Sequence, residues 1–475
     1  MAAGENGEGV AGGGAWSRRD LLRRSAGLIG VATVPALASG CSRNRADAAW
    51  ATGSFAGLPT TDLGPGGWCW FQDPRVSLAP GGILWLGTTV AHTYSRRDGA
   101  VELTALDLET MKVVERRTLD HSKPDDHISP SVLAVDGGVQ VAWSLHKNTP
   151  DVRVAQHRIG RVVDVTDIRR PGALVEPARG TAYASAHVVG GQRWLLYRGE
   201  QYSWNLLTSP DGDRWTHRGL VVAPGSSGQR PYLSASGDGA TLQFVVTDGN
   251  PEEYRGSSAY AGSIDADLGI HDSGGRLVGA VGSLAPRPGA LTRLVAGHAG
   301  PIETGDRDVW LCDVQVVGGR PSAILSVRER RPDGDRRVKS YRHRYLWARW
   351  GPEGWAVEPL SWGGNGISSV SADYTGLASL HPGEPERVVV STDVHPNSGR
   401  PLLSAADHTQ HFELFEGRRR GHGSWTWTPV TENSSQDNIR PVVAADAGRE
   451  VLAWMGGKYW SWTDFDTHIL VRHSA

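Results

Sequence analysis

Short apolar runs rich in β-branched and aromatic residues recur along the chain, each directly after a tight turn. The runs are Ile83–Val90, Val139–Leu145, Trp194–Tyr197, Leu242–Val246, Ala323–Val327, Val388–Ser391 and Val451–Met455. The turns before them are Pro80–Gly82, Asp136–Gly138, Gly190–Gly191, Gly237–Gly239, Gly318–Gly319, Pro382–Gly383 and Ala447–Gly448. Another short strand-like run precedes each turn, and a tight turn between two such runs is the signature of a β-hairpin. The pattern therefore predicts seven hairpins.

The spacing of these hairpins predicts the architecture. Their centres are separated by roughly 50 to 80 residues, which is the length of one propeller blade with its loops. Seven hairpins at this spacing favour an all-β, seven-bladed β-propeller over a β-sandwich, because radial repetition leaves only short sheet edges. We expect one propeller domain over residues 65–475, with Gly262–Gly300 as an insertion on one blade.

Composition agrees with this fold and excludes several classes of protein. The 475 residues include 61 Gly and 19 Trp, which suit many turns and aromatic strands. With 49 Lys+Arg against 51 Asp+Glu, the net charge of -2 argues against a nucleic-acid-binding protein. A hydrophobic fraction of 39% is too high for disorder. No apolar run reaches about 18 residues, so a membrane-spanning helix is not expected.

The first residues resemble an export signal. Ser17–Leu22 carries the paired arginines of a twin-arginine leader, a weakly apolar stretch follows, and Ser39-Gly40-Cys41 resembles the end of a lipobox. We therefore predict a signal over residues 1–41, a linker over 42–64, lipidation at Cys41, and a cell-surface lipoprotein or secreted product of the twin-arginine route. The remaining cysteines, Cys69 and Cys312, are expected to be buried apolar residues rather than a disulfide framework.

The predicted ring indicates where polar side chains gather. Residues just before the first strand and just after the second strand of each hairpin should meet at one mouth of the central funnel. Before the strands lie Asp73, Arg75, Asp126, His127, Tyr183, Arg230, Tyr232, Asp308, Asp373, Tyr374, Asn438 and Arg440. After them lie His92, His146, Arg198, Asp248, Asn250, Arg328, Asp393, His395 and Lys458. A polar funnel mouth is the default ligand site of this architecture.

Four of these positions come from adjacent repeats and suit β-elimination on a uronic acid. They are His127, His146, Tyr183 and Arg198. An arginine would neutralise the substrate carboxylate by bidentate pairing, while a neutral imidazole suits the base and a phenol suits protonation of the leaving oxygen. The alternative is structural: polar residues at strand ends commonly cap hairpins.

A second motif is read as structural. Ser209–Trp215 resembles an Asp-box turn, a hairpin device in which Ser and Asp satisfy turn amides and Trp packs between strands.

Several short motifs recur in one order along the chain. They are Trp68–Arg75, Asp125–His127, Leu196–Gly199, Arg230–Tyr232, His343–Tyr345 and Asn438–Pro441. In this order they resemble the BNR-repeat propeller family that includes ulvan lyases and related rhamnose–glucuronate lyases, over roughly residues 65 to 470. The resemblance implies a seven-bladed lyase that cleaves a uronate-containing, often sulfated, polysaccharide.

The resemblance also implies residue roles. His127 and His146 would be the catalytic histidines, Tyr183 the catalytic tyrosine and Arg198 the carboxylate neutraliser. Candidate substrate-binding residues are Arg75, Asp126, Arg230, Tyr232 and Arg440. The assignment of base and acid stays open.

One position departs from the family pattern, and the metal content stays open. Many relatives have His where this chain has Asn250, which puts the role of that position in question. The chemistry requires no cofactor. Some relatives hold a structural metal ion, so a structural zinc or calcium ion remains an alternative without an assigned ligand set; His343 and Cys312 are candidate ligands.

Two other functions stay open. A sialidase-like glycoside hydrolase would use an arginine cluster such as Arg75, Arg230 and Arg440 with Tyr374. A non-catalytic surface lipoprotein would bind a glycan without cleaving it. In every case the expected partner is a polysaccharide, anionic for the lyase, bound by a monomer that meets the membrane only through a lipid at Cys41.

Overall fold

The structure, a computed structural model, describes residues 54–146, 151–159, 161–162, 166–168, 181–199, 202–225, 229–298, 307–330, 341–421, 423–446 and 448–474. The predicted signal at residues 1–41, with Cys41, lies outside these ranges, as does the linker up to residue 53. Within them the protein is an all-β, seven-bladed propeller, as predicted.

The first four blades follow one another along the chain. Blade 1 contains β2 (Val76–Ala79), β3 (Ile83–Thr89), β4 (Ala100–Asp107) and β5 (Lys112–His121). Blade 2 contains β6 (Ser131–Val135), β7 (Gly138–Trp143), β8 (Val152–Arg158), β9 (Arg161–Val162) and β10 (Thr166–Ile168). Blade 3 contains β11 (Ala182–Val189), β12 (Gln192–Arg198), β13 (Trp204–Ser209) and β14 (Thr216–Val222). Blade 4 contains β15 (Tyr232–Gly237), β16 (Leu242–Thr247), β17 (Ala259–Ile264), β18 (Gly269–Asp272), β19 (Leu277–Ala280) and β20 (Thr292–Val295).

The last three blades complete the ring. Blade 5 contains β21 (Arg307–Val317), β22 (Arg320–Arg330), β23 (Tyr341–Gly351) and β24 (Gly354–Gly364). Blade 6 contains β25 (Ala378–Leu380), β26 (Arg387–Thr392), β27 (Glu413–Arg419) and β28 (Trp425–Pro429). Blade 7 contains β29 (Asp437–Asp446), β30 (Arg449–Ser461), β31 (Asp464–Ser474) and, on its outer edge, β1 (Thr61–Pro65). Two one-turn 3-10 helices lie at Asp126–Ile128 and Pro288–Ala290.

The seven apolar runs found in the sequence are the second strands of the seven blades, namely β3, β7, β12, β16, β22, β26 and β30. Each pairs antiparallel with the strand before it across the predicted turn. These runs are apolar because second strands are covered on both faces by neighbouring blades. Trp143, Trp194 and Trp454 are buried on them and fill the space between blades.

The insertion predicted at Gly262–Gly300 is built into a sheet. It contains β18, β19 and β20, which extend blade 4 to six strands, with β20 pairing to β17. Its Gly- and Pro-rich composition reflects the tight turns between these short strands.

The ring is closed by both ends of the described chain. Strand β1 pairs antiparallel with β31, with Thr61 opposite Val471, so the outer strand of blade 7 comes from the start of the propeller. The segment between β1 and β2 then enters the centre of the ring. Phe71 on that segment packs against the rings of Tyr183, Tyr232 and Trp310 at centroid distances of 5.2, 4.9 and 5.5 Å. These four rings pack together where blades 3, 4 and 5 meet the entering segment, and we call them the aromatic floor.

The Asp-box motif forms the turn between β13 and β14, as its composition predicts. The Ser209 hydroxyl accepts from the Gly212 amide at 2.7 Å, and Asp211 Oδ1 accepts from the amides of Asp213 and Arg214. The indole of Trp215 donates to the Gly212 carbonyl at 2.9 Å. No helix in the part of the chain that the structure describes is long and apolar enough to cross a membrane.

Candidate active site

The candidate site lies where blades 2, 3 and 4 meet blade 7 at one mouth of the ring. His127 belongs to the 3-10 turn before β6, and His146 follows β7. Tyr183 is the second residue of β11 and Arg198 is the last residue of β12. Because Ala182 pairs with Arg198 across that hairpin, Tyr183 and Arg198 lie at the same end of blade 3. The four residues predicted to carry the chemistry are thus brought together by four strand ends.

The two histidines form a rigid pair held by one carboxylate. Their rings stack with centroids 4.2 Å apart and planes 11° from parallel. Nδ1 of His127 lies 2.9 Å from Oδ1 of Asp125, and Nδ1 of His146 lies 2.7 Å from Oδ2 of the same residue. One carboxylate with an oxygen for each imidazole fixes both ring orientations, as a carboxylate partner commonly does for a functional histidine.

A tyrosine pair and an arginine complete the group. The Tyr183 ring lies 5.2 Å from that of His127 and 5.7 Å from that of Tyr232, centroid to centroid. The Arg198 guanidinium carbon sits 4.4 Å from the Tyr183 ring centroid and 4.6 Å from that of Tyr232. The Tyr183 and Tyr232 hydroxyls interact with each other, and Tyr232 also interacts with Arg198.

Among the residues that the structure describes, no carboxylate pairs with Arg198. The other buried arginines that the structure describes are Arg75, Arg328, Arg387 and Arg440, which pair with Asp73, Asp308, Glu416 and Asp126 at 3.1, 2.7, 2.7 and 2.6 Å. Arg198 is 5% exposed, and its buried Nη1 makes no hydrogen bond with the described residues. A buried cation is stabilised by a negatively charged partner, so Arg198 is a candidate to bind an anionic ligand group.

A second layer of charge lies beneath His127. Oδ1 of Asp126 is 2.8 Å from Nδ1 of His127, while its Oδ2 pairs with Arg440 at 2.6 Å. Tyr459 donates its hydroxyl proton to the same Oδ2 at 2.8 Å. Asp126 and Arg440 are fully enclosed, so they act on His127 from below and do not contact a ligand at the mouth.

These charges determine the protonation of His127. Burial by itself lowers the pKa of His127, but the carboxylates of Asp126 and Asp125 outweigh it and raise the pKa well above the usual value. Burial likewise raises the pKa of Asp125, but His127 and the two imidazole hydrogen bonds outweigh burial and lower that pKa overall. These charges favour the imidazolium form of His127 over the neutral imidazole.

The pKa values of the Tyr183 and Tyr232 hydroxyls shift in opposite directions. Burial, together with the neighbouring Tyr232, raises the pKa of Tyr183 well above its usual value. Burial also opposes ionisation of Tyr232, but Arg198 outweighs it by charge and hydrogen bonding and lowers the pKa of Tyr232. Paired groups whose environments drive their pKa values apart are suited to acid and base roles.

The backbone at the site is strained at three predicted residues. His146, Tyr183 and Arg440 have φ values of +32°, +59° and +52°, in a region that side-chain-bearing residues seldom occupy. Pairing shifts register immediately after Tyr183 and Arg440, at the start of β11 and within β29. Such strain costs on the order of 1–3 kcal/mol per residue and concentrates at functional sites.

Arg75 and Arg230, both predicted to bind substrate, each pair with a carboxylate that lies outside the group of His127, His146, Tyr183 and Arg198. Arg75 is buried in its ion pair with Asp73, near Asp313, which lies three residues further along β21 than Trp310 of the aromatic floor. Arg75 is therefore below the floor and cannot meet a ligand at the mouth. Arg230 does lie at the rim, where it pairs with Glu253 at 2.8 Å and stacks on Tyr202 at 4.2 Å.

Asp125 and Trp462 join the site without having been assigned a role from the sequence. Asn250 and Tyr374, which the sequence places at the mouth, lie there too. Asn250 donates to the Tyr232 hydroxyl at 3.4 Å and accepts from that of Tyr374 at 3.0 Å, so the position that departs from the family pattern links blades 4 and 6. Trp462 lies edge-on to both imidazoles at 5.4 and 5.5 Å. Asp125 had a local signal, since it precedes a short turn whose amides need a cap; Trp462 had none.

Three groups of side chains place potential metal-ligating atoms within 4.8 Å of one another. They are Asp125, His127 and His146; Cys69, Asp126 and His127; and His381, Glu384 and Glu450. In the first, both Nδ1 atoms already face carboxylate oxygens, and in the third, Glu450 binds Arg387 at 2.7 Å. The ligand candidates His343 and Cys312 are buried, and neither is part of such a group among the described residues.

Comparison with known proteins bears on the fold. No family model and no curated sequence matches this chain, so membership of the BNR-repeat family stays a prediction. A solved structure described as a new family of polysaccharide lyase, the PL25 ulvan lyase, is similar with a TM-score of 0.57 and 12% identity, over 86% of this chain and 95% of that one. The polysaccharide lyase Uly1 gives 0.49 and 11% identity over 84% and 90%. A Penicillium chrysogenum α-L-arabinanase gives 0.38 and 10% identity over 86% and 97%. At such identities the likeness to the PL25 structure supports the seven-bladed fold alone.

Proposed function

We propose that this protein is a polysaccharide lyase that cleaves a uronic-acid-containing glycan of the ulvan type by β-elimination at the 4-linked uronate. The observation that carries the proposal is the buried guanidinium of Arg198, which lies 4.4 and 4.6 Å from the ring centroids of two tyrosines and pairs with no carboxylate among the described residues. A uronate carboxylate would supply a negative charge there and fits the fork geometry of a guanidinium. The ulvan lyase activity named for the similar PL25 structure is consistent with this chemistry.

The first step removes the proton next to the substrate carboxylate. As that proton leaves, negative charge spreads onto the carboxylate, where Arg198 stabilises it. The oxygen of Tyr232 accepts the proton, because Arg198 lowers the pKa of Tyr232 and favours its phenolate.

The second step breaks the bond to the 4-linked oxygen. Tyr183, whose pKa is raised, keeps its proton until it donates it to the leaving oxygen, and a carbon–carbon double bond forms in the uronate. The His127 imidazolium stabilises charge on the leaving side. A proton then passes from Tyr232 to the neighbouring Tyr183, which restores both groups for the next cycle.

The test is product chemistry on a panel of polymers. Purified protein is incubated with ulvan, glucuronan and other uronate glycans, and the absorbance of unsaturated uronyl ends is followed. We expect an absorbance increase with at least one polymer. New reducing ends without unsaturation would instead support a hydrolase, and tight binding without products would support a glycan-binding protein.

We propose further that the chain is exported through the twin-arginine route and anchored by a lipid at Cys41, on the motif at residues 17–41. Replacing Arg18 and Arg19 by Lys should retain the protein inside the producing cell. Cys41→Ser should release it from the membrane fraction without blocking export. Unchanged localisation in either variant contradicts the corresponding step.

A further inference from the structure

The hairpin of blade 7 carries two exposed tryptophans beside the candidate site. Strands β30 and β31 contain 13 and 11 residues, among the longest in the described propeller, and Trp460 and Trp462 lie at their tip. The two side chains are 41% and 42% exposed. Exposed tryptophans that adjoin a functional site mark a binding surface more often than tryptophans scattered singly.

Trp462 fixes this hairpin tip against the catalytic group. Its ring lies 5.4 Å from that of His127 and 5.5 Å from that of His146, nearly perpendicular to both. Its carbonyl accepts a hydrogen bond from the Asp126 amide at 2.8 Å. The tip is thus held by the same turn that presents His127.

From there the aromatic surface continues away from the reacting groups. The Trp460 ring lies 5.5 Å from that of His92, which in turn lies 5.8 Å from that of Tyr94. Nε2 of His92 is 2.5 Å from Oδ1 of Asp464, and the Ser368 hydroxyl donates to the Trp460 carbonyl at 2.7 Å. We call Trp460, Trp462, His92 and Tyr94 the aromatic platform.

The backbone holds the outer part of the aromatic platform in an unfavourable conformation. His92 and Tyr94 have φ values of +53° and +52°, and Tyr94 is 89% exposed. Positive φ at two aromatic residues opposes folding, and leaving the Tyr94 ring in solvent gains nothing for stability. A strained backbone at a side chain that is exposed to solvent is typical of residues that contact a ligand.

We propose that the aromatic platform binds the sugar residues next to the uronate that is cleaved, with Trp460 and Tyr94 stacking on the apolar faces of pyranose rings. The proposal rests on the proposed function for the identity of the polymer. A pyranose offers one face of C–H groups, and a flat aromatic ring buries that face while its hydroxyls stay in water. The enzyme therefore engages several consecutive sugars and favours long chains over short fragments.

The test compares long and short substrates in platform variants. Trp460→Ala and Tyr94→Ala are measured on the polymer and on its shortest cleaved fragment, with Leu284→Ala as control because Leu284 is an exposed residue of the blade 4 insertion. We expect KM for the polymer to rise about ten-fold, the effect of losing one stacked ring face. We expect kcat to stay within about two-fold, since neither ring contacts the reacting groups. Trp460→Phe should restore much of the loss.

A binding measurement separates the aromatic platform from the chemistry. In gels that contain the polymer, the His127→Ala variant should migrate slowly, and adding Trp460→Ala should restore free migration. If wild-type protein forms unsaturated product but Trp460→Ala and Tyr94→Ala leave the polymer KM unchanged, the platform proposal is overturned and the lyase proposal stands. If no product forms but migration still depends on Trp460, the platform proposal stands and the lyase proposal fails.

Discussion

Nδ1 of His146 lies 2.7 Å from Oδ2 of Asp125, whose other oxygen faces Nδ1 of His127 at 2.9 Å. A single carboxylate thereby sets the orientation of two stacked imidazoles. Asp125 contacts no substrate in the proposed reaction, so its function is to position the histidines and keep His127 charged.

Replacing Asp125 by Asn tests this positioning. An amide cannot accept from both Nδ1 atoms as a carboxylate does, and it removes one of the charges that raise the pKa of His127. We expect kcat to fall by about 10²-fold or more, a typical effect of losing a positioned acid–base group. Steady-state kinetics provide the measurement, with Asp238→Asn in an exposed hairpin turn as the matched control. A fully active Asp125→Asn enzyme would exclude the positioning role.

The pH dependence of activity reports on His127. Because the pKa of His127 is raised well above its usual value, the required imidazolium persists through neutral pH and is lost only as the pH rises through the raised value. We expect kcat/KM to decline on the alkaline side, and this decline should move to lower pH in Asp125→Asn. An alkaline decline that stays at the same pH in Asp125→Asn would contradict the assignment.

Arg198 is expected to need its guanidinium and not merely its charge. Arg198→Lys keeps a cation but loses bidentate contact with a carboxylate. We predict a fall of about 10²-fold in kcat/KM, comparable to the loss of one donor at a developing anion. Arg230→Lys, at the exposed pair with Glu253, should cost only a few-fold. Equal effects at both positions would argue against carboxylate neutralisation by Arg198.

The phenols should be separable by substitution. Tyr183→Phe and Tyr232→Phe each remove one hydroxyl of the tyrosine pair, so each should reduce kcat strongly while the thermal melt changes little, since both rings remain buried. Tyr374→Phe removes only the hydroxyl that donates to Asn250 and serves as control, with a small expected effect. A kcat near wild type in Tyr232→Phe would rule out that residue as the base.

His187 should make the fold sensitive to acid. Burial lowers the pKa of His187 to about 4, so the folded protein keeps this imidazole neutral. A depressed folded-state pKa gives stability that is complete above the unfolded value of about 6.5 and is lost as the pH falls towards the folded value. The loss amounts to about 3 kcal/mol at most. Denaturant unfolding at pH 7 and pH 4 should show a smaller pH difference for His187→Gln than for wild type.

The repeating part of the architecture could be predicted because its signals are local. A glycine-rich turn such as Gly190–Gly191 and the apolar strand after it lie within about a dozen residues of each other. The hairpin of β11 and β12 can therefore be predicted from the sequence. The same local signals place Tyr183 and Arg198 at the ends of paired strands. The number of repeats predicts a closed ring, and the ring in turn predicts that the strand ends of different blades lie close together.

What could not be predicted depends on chain segments that leave the repeat. Arg75 looks equivalent to Arg230 in the sequence, yet its segment enters the centre of the ring, where it pairs with Asp73. Trp462 reaches the histidines because β30 and β31 are longer than most second and third strands of the blades. The composition of that hairpin does not indicate how far it extends beyond the blade. Asp126, which raises the pKa of His127, is held by Arg440, 314 residues further along the chain.

The pairing of Thr61–Pro65 with the last strand has a consequence for biogenesis. Until β29, β30 and β31 have been synthesised, this segment has no sheet to join, so the ring stays open at blade 7. Proteolytic removal of Thr61–Pro65 would expose the hydrogen-bonding edge of β31. An exposed strand edge can pair with another molecule, so cleavage during maturation is expected to occur before Thr61.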